Sequence, residues 1–221
     1  PGHELRNPLA AMISAVRVLD RIGGRDEVAM RAREAIRHQI THLGRLVNDL
    51  LDIVHVTTGE IALAREPLNL ATSVQRSVSD LASTGRLERH VVDVRAEPVW
   101  ANADPARLNQ IVSNLVLNAI KYTSPGGTIR IRVIGEGTLA IIGVSDTGIG
   151  IPPRLLPHMF DAPPRGEPRL VHFRGGLGVG LTLVRRLVEL HGGQDEAFSD
   201  GPGRGSEFVG RLPRLAPAKA T

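Results

Sequence analysis

What most limits the fold of this chain is a change of hydrophobic period about a quarter of the way along it. Leu5, Leu9, Met12, Val16 and Leu19 recur in alternating steps of four and three, and Ile36, Ile40, Leu43, Val47, Leu50 and Val54 repeat the spacing. Such a pattern is the apolar seam of two amphipathic helices, widened here by Ile13, Leu46 and Leu51. Gly23 and Gly24, with the polar residues after them, supply a turn, so residues 1–58 are expected to form an antiparallel helical hairpin. Two helices alone would leave a wide apolar stripe in water. Pairing of two hairpins into a four-helix bundle buries it, and a homodimer is therefore expected.

Beyond Val54 that period is lost. Gly59 and Pro67 mark a linker over 59–67, and residues 68–213 then mix helical and strand patterns. Helices are expected at 70–83, 105–122 and 180–191, and strands at 90–95, 128–134, 139–145 and 206–212, with a tight turn at 135–138. Three of the strands suit an antiparallel sheet with helices on one face. The fold class is thus α+β, a helical hairpin followed by an α/β sandwich. Residues 214–221 are expected to fray. The opening residues, PGHELRNPL, already read as helix interior, so the chain is expected to be a piece of something longer. With no cysteine there is no disulfide, thiolate nucleophile or cysteine-held zinc. A net charge of +4 spread over Arg-rich helices, with 3% aromatic residues, argues against nucleic acid as the main ligand. No apolar run approaches the ~20 residues that span a bilayer. This fragment is expected to be cytoplasmic, reaching a membrane only through segments outside it.

The stretch 104–123, DPARLNQIVSNLVLNAIKYT, carries the most chemistry. Asp104 suits a helix cap and Pro105 the first helical position, where its missing N–H costs nothing. At roughly 100° per residue, Arg107, Gln110, Asn114, Asn118 and Lys121 share one side, opposite Leu108, Ile111, Val112, Leu115 and Ala119. A solvated face is the plain explanation of that stripe. Asparagine is a poor helix former, however, and two of them one turn apart gain nothing over Glu or Lys. Amide oxygens with a lysine beyond them would also suit a hydrated metal and the phosphates it neutralises.

DTGIG, from Asp146, follows an apolar strand. It is either a strand-end turn or a place where backbone approaches a flat ligand while the carboxylate accepts its exocyclic amine. Gly176, Gly178 and Gly180 precede a helix and read either as a flexible loop or as an anion cradle. With no strand leading into them, they are not a dinucleotide fingerprint. GRGSEF, from Gly203, is a third glycine site. His3 lies off the seam beside Glu4, which can take its proton, and one turn from Asn7, with Pro8 bending the helix just after it.

Taken in order, HELRNPL from His3, the asparagine helix, DTGIG, Phe160, the 176–180 glycines and GRGS resemble the H, N, G1, F, G2 and G3 boxes of sensor histidine kinases of two-component systems. The resemblance covers nearly the whole chain. It implies a dimerisation and histidine-phosphotransfer hairpin joined to an ATP-binding domain of the Bergerat type, with ATP and Mg2+ bound there. Under it, His3 matches the phospho-accepting histidine and Glu4 its acidic neighbour and base. Asn7 matches the residue that positions water for removing phosphate from the partner regulator. Asn114 matches the magnesium-binding asparagine, with Asn118 and Lys121 beside it near the phosphates and Tyr122 beside the nucleotide. Asp146 matches the adenine-reading aspartate, with Gly148 and Gly150 in its loop. Gly176, Gly178 and Gly180 match the hinge of an ATP lid, and Arg165 a lid arginine that contacts phosphate.

The implied reaction is phosphorylation of His3 from ATP, then transfer to an Asp of a response regulator's receiver domain. The sequence departs from the family at Pro163, where a second aromatic is usual, and at 170–174, apolar for a lid and expected to dock on the hairpin. The rivals are a Bergerat-fold ATPase and a non-catalytic dimeric scaffold. The first uses a Glu one turn before the metal asparagine to activate water; Gln110 holds that place and cannot be a base.

Overall fold

The structure is a computed structural model and describes residues 12, 14–19, 27–36, 39–40, 44, 62–161 and 179–215. The chain divides into two units, Pro1–Glu60 with Pro163–Val179 and Ile61–Ala162 with Gly180–Thr221, and each is described by itself. In the first, residues 14–19, 27–36 and 39–40 are helical. Ala15, Ala29 and Ala32 are buried, whereas the seam residues Val16 and Ile40 are 45% and 57% exposed in the single chain.

In the second unit β1 (Glu66–Asn69) turns directly into α1 (Leu70–Ser83), whose first N–H groups are capped by the Asn69 side chain. β2 (Val91–Ala96), β3 (Trp100–Ala103) and α2 (Pro105–Tyr122) follow, then the hairpin of β4 (Thr128–Glu136) and β5 (Leu139–Asp146). After a 3-10 turn at Leu156–His158 come α3 (Val179–Leu190), β6 (Gln194–Phe198) and β7 (Ser206–Pro213). β1 and β3 make an antiparallel ribbon, and the other strands form one sheet in the order β2-β4-β5-β7-β6. One face of that sheet packs the core. Ile129, Ile131 and Val133 alternate inward along β4 and are buried with Leu108, Ile111 and Leu115 of α2 and Leu183 and Leu187 of α3. On the other face Arg132 lies across Gly143 to reach Glu207, two strands away, at 2.8 Å.

The helices and strands expected between 68 and 213 appear within two residues of where their periodicity placed them. The sheet differs from the antiparallel three strands expected. It has five strands, and β2 runs parallel to β4 because the chain between them crosses over through β3 and α2 instead of turning back as a hairpin. β1 takes up Pro67, read from sequence as a linker breaker; it pairs only with β3, and proline is tolerated on such an edge. Arg214 and Leu215, expected from sequence to fray, are held by backbone hydrogen bonds. Arg214 N–H donates to the Thr138 carbonyl at 2.8 Å and Leu215 N–H to that of Trp100 at 2.7 Å.

Candidate functional site

The asparagine helix starts as its sequence dictates. Asp104 Oδ1 accepts the N–H groups of Ala106 and Arg107 at 2.9 and 3.1 Å, and Oδ2 accepts that of Ala64 at 3.0 Å. Burial alone would raise this carboxyl, but the three backbone donors and the Arg107 charge outweigh it and hold the group below its ordinary range. Leu108, Ile111, Val112, Leu115, Val116 and Ala119 are buried. On the polar side Gln110, Asn114, Asn118 and Lys121 are half-buried. A stripe serving only as a solvated face would stand open; this one is partly walled.

Gly180, in the first turn of α3, is part of that wall. Asn114 Oδ1 lies 3.0 Å from the place a Cβ at 180 would occupy. The missing side chain lets the first described turn of α3 come against the amide. One turn earlier on α2, Arg107 Nη1 donates to Gln110 Oε1 at 2.9 Å.

The far end of α2 is joined to the DTGIG loop. Ile149 N–H donates to the Tyr122 carbonyl at 3.2 Å, and a Cβ at 148 would fall 2.3 Å from the same oxygen, so glycine is required there. Asp146 is buried at the end of β5. Its Oδ1 accepts Gly148 N–H at 2.8 Å and its Oδ2 the Ser206 hydroxyl at 2.5 Å. Carboxylate oxygens accept more than one bond each, so capacity remains for an outside donor such as an exocyclic amine. The third glycine site backs this loop. Gly203 N–H donates to the Ile149 carbonyl at 2.6 Å, and at Gly205, with φ +72°, a Cβ would fall 2.0 Å from the Asp146 carbonyl oxygen. Gly150, with φ +68°, comes equally close to the Gly201 carbonyl.

Asn114 with Gly180, and Tyr122 with Asp146, Gly148 and Gly150, are thus gathered along one helix, and Asn118 sits one turn from each group. Lys121 places its ammonium 4.9 Å from the centre of the Tyr122 ring, a cation–π contact. Phe160 is buried edge-on to Phe208, with ring centres 5.8 Å apart. His3, Glu4, Asn7, Arg165, Gly176 and Gly178 lie outside the described residues, as do Pro163 and 170–174.

Three groups escaped the sequence reading. Ser206 stood inside GRGSEF, which was read only for its glycines. Asp161 and Asp195 share Arg185, at 2.8 and 3.1 Å. The hydrogen bond from His158, aided by Arg185 and opposed by burial, holds the Asp161 carboxyl below its ordinary range. His191 closes α3, and the HGG run is the signal that was available. Gly192, at φ +76°, donates to the Glu189 carbonyl and Gly193 to that of Val188, the Schellman pattern of a helix end. Among the described residues no cluster of three or more His, Cys, Asp or Glu could hold a metal.

Residues 103–216 match the family model for the histidine kinase-, DNA gyrase B-, and HSP90-like ATPase, and residues 2–59 match the His Kinase A (phospho-acceptor) domain. The chain is 37% identical over 218 residues to the circadian input-output histidine kinase CikA of Synechococcus elongatus, covering 96% of this chain and 29% of that protein. It is 34% identical over 212 residues to the probable sensor histidine kinase TcrY of Mycobacterium tuberculosis, covering 96% of this chain and 44% of that one. Among solved structures, full-length ShkA in complex with AMPPNP matches with a TM-score of 0.70 and 25% identity, over 98% of this chain and 45% of ShkA. The chain spans less than half the length of these curated relatives.

The chain belongs to the histidine kinase-, DNA gyrase B-, and HSP90-like ATPase family, and ahead of that domain it carries a segment similar to the phospho-acceptor domain of histidine kinases. No helix among its described residues is long and apolar enough to cross a membrane.

Proposed function

We propose that this chain phosphorylates His3 from Mg2+-bound ATP and passes the phosphoryl group to an aspartate of a response regulator's receiver domain. The observation that carries the reading is the arrangement along α2, with Asn114 against Gly180 in the first described turn of α3 and Asp146 with its glycine loop joined to Tyr122. Asn114 and Tyr122 are about 12 Å apart along the helix axis, a spacing that suits phosphates at one end and a purine at the other. A neutral amide oxygen, with no carboxylate cluster among the described residues, fits a hard cation whose other ligands are water and phosphate oxygens. Asn114 would hold that ion, and bound Mg2+ would neutralise charge on the phosphates. The N–H groups at the start of α3 would receive phosphate oxygens, and Asp146, oriented by Ser206, would accept the adenine amine. Asn118 would line the wall between them and Lys121 and Tyr122 would flank the nucleotide; Gly176 and Gly178 as a lid hinge and Arg165 as a phosphate contact rest on the resemblance of the boxes alone.

In the transfer, an imidazole nitrogen of His3 forms the new bond to phosphorus, the bond to the ADP oxygen breaks, and ADP leaves. Glu4 accepts the imidazole proton, so labelling should fail well below the ordinary histidine pKa of about 6.5. Gln110, its amide oxygen held by Arg107, offers water no base, which favours histidine as acceptor over hydrolysis. The hairpins pair as a homodimer, and Asn7 positions water for dephosphorylating the regulator. Incubation with γ-labelled ATP and Mg2+ tests the reading. Wild type should acquire acid-labile, base-stable label that His3→Gln lacks; equal label in both proteins contradicts it.

A further inference from the structure

α3 touches α2 near each of its own ends. At the start of α3, Gly180 lies against Asn114. At its close, His191 Nε2 accepts the backbone N–H of Asp104, the cap of α2, at 3.0 Å. The helices therefore run in opposite directions, and the two contacts are separated by about 15 Å on α2 and about 16 Å on α3 at the helical rise. His191 is 3% exposed, and its Nδ1 lies 2.7 Å from the Leu187 carbonyl. Nδ1 thus carries the proton and Nε2 is left as the acceptor. The chain entering from the hairpin side reaches the same junction. Ala64 N–H donates to Asp104 Oδ2 at 3.0 Å, and the Arg65 guanidinium to the Leu190 carbonyl.

We propose that His191 is a positioning residue for the nucleotide: by hooking the cap of α2 it fixes the axial register of α3, and with it the gap between the N–H groups at the start of α3 and Asn114. This rests on the reading of Asn114 and Gly180 as the phosphate end of the site. Slippage at the hook would widen or narrow that gap without touching any ligand-binding side chain. The entering segment is tied to the same point through Asp104 and Leu190.

Two substitutions separate the bonds of the imidazole. His191→Gln keeps an acceptor near the Nε2 position, whereas His191→Asn keeps a donor for the Leu187 carbonyl but falls short of Asp104. In the full chain, well below its melting temperature, Mg2+–ATP affinity of H191Q should stay within about twofold of wild type. H191N should weaken it by about fivefold or more, the size of one lost hydrogen bond. Wild-type affinity in H191N, or an equal loss in both variants, overturns the proposal. Coupling is reciprocal, so Mg2+–ATP should slow exchange of the Asp104 amide in wild type by a similar factor, a measurement that needs no variant to fold. Unchanged exchange on ATP binding also overturns it. Failure of the underlying reading looks different: Asn114→Ala would then bind Mg2+–ATP as wild type does.

Discussion

Replacing Gly148 by alanine should damage the nucleotide site more than a single methyl suggests. The new Cβ would fall 2.3 Å from the Tyr122 carbonyl oxygen and 2.6 Å from Asp146 Oδ1. Tyr122 ends α2 and Asp146 ends β5, so neither yields easily and the loop itself must retreat by about 1 Å. Two hydrogen bonds are lost with it, Gly148 N–H to Asp146 Oδ1 at 2.8 Å and Ile149 N–H to the Tyr122 carbonyl at 3.2 Å. A neutral bond contributes about 1 kcal/mol and one to a carboxylate about 2, giving about 3 kcal/mol, or a hundredfold in an equilibrium constant. Urea denaturation followed by the fluorescence of Trp100 reads the cost, because this sole tryptophan lies in β3 of the same unit. Gly126→Ala is the control. Gly126 has φ +84° but open space around it, so alanine there meets only the left-handed backbone penalty of about 1 kcal/mol. A Gly148→Ala protein no less stable than the Gly126→Ala protein, with ATP affinity unchanged, would refute the reasoning.

Burial, aided by Arg65 and opposed by the Leu187 hydrogen bond and the Asp104 charge, holds His191 below its ordinary pKa. As pH falls below about 6.5 the unfolded chain takes up a proton first, so this contribution is complete above that pH and is lost through the lowered native value. The loss is at most about 1.4 kcal/mol per pH unit, and His191→Gln should flatten it in denaturation curves; an unchanged slope contradicts the assignment. Asp104 and Asp161, both lowered, act in a separate window, present above about pH 3.9 and lost on further acidification. Arg185→Met leaves Asp195, whose side chain is 7% exposed, without its cation. Because Arg185 is itself 31% exposed, the cost is discounted to about 1–2 kcal/mol, visible as a lower Tm, and an unchanged Tm would count against the bridge. Gly193→Ala should destabilise more than Gly143→Ala, since its Cβ would lie 2.1 Å from the Arg211 backbone carbonyl, whereas at 143 the nearest atom is the movable Arg132 Nε at 2.8 Å. Equal unfolding midpoints would reject that distinction.

The parts of this fold legible in sequence are those that carry their own pattern. α2 shows its cap, its proline and its apolar stripe within one stretch of chain, and β5 its apolar run ending in DTGIG. The strands that escaped have no such pattern. β6 reads QDEAF, with no β-branched residue, and is a strand because β7 pairs with it. β1 is defined by partners in β3, Glu66 opposite Ala103. The same limit applies at the site. The Asp146 loop and the Asn114 stripe are local, but Ser206 is 60 residues from Asp146 and His191 87 from Asp104. Folding alone brings those pairs together. The order of the boxes supplied what spacing could not, and it remains the basis for His3, Glu4, Asn7 and Arg165.

On the proposed reading, α2 is the phosphate and metal wall of the ATP site. Its most direct test is Asn114→Ala, followed by γ-labelled ATP incorporation in Mg2+, with sedimentation to check the dimer. The account predicts that labelling is abolished while the dimer is unchanged from wild type. Labelling near the wild-type level would place the metal elsewhere and contradict it.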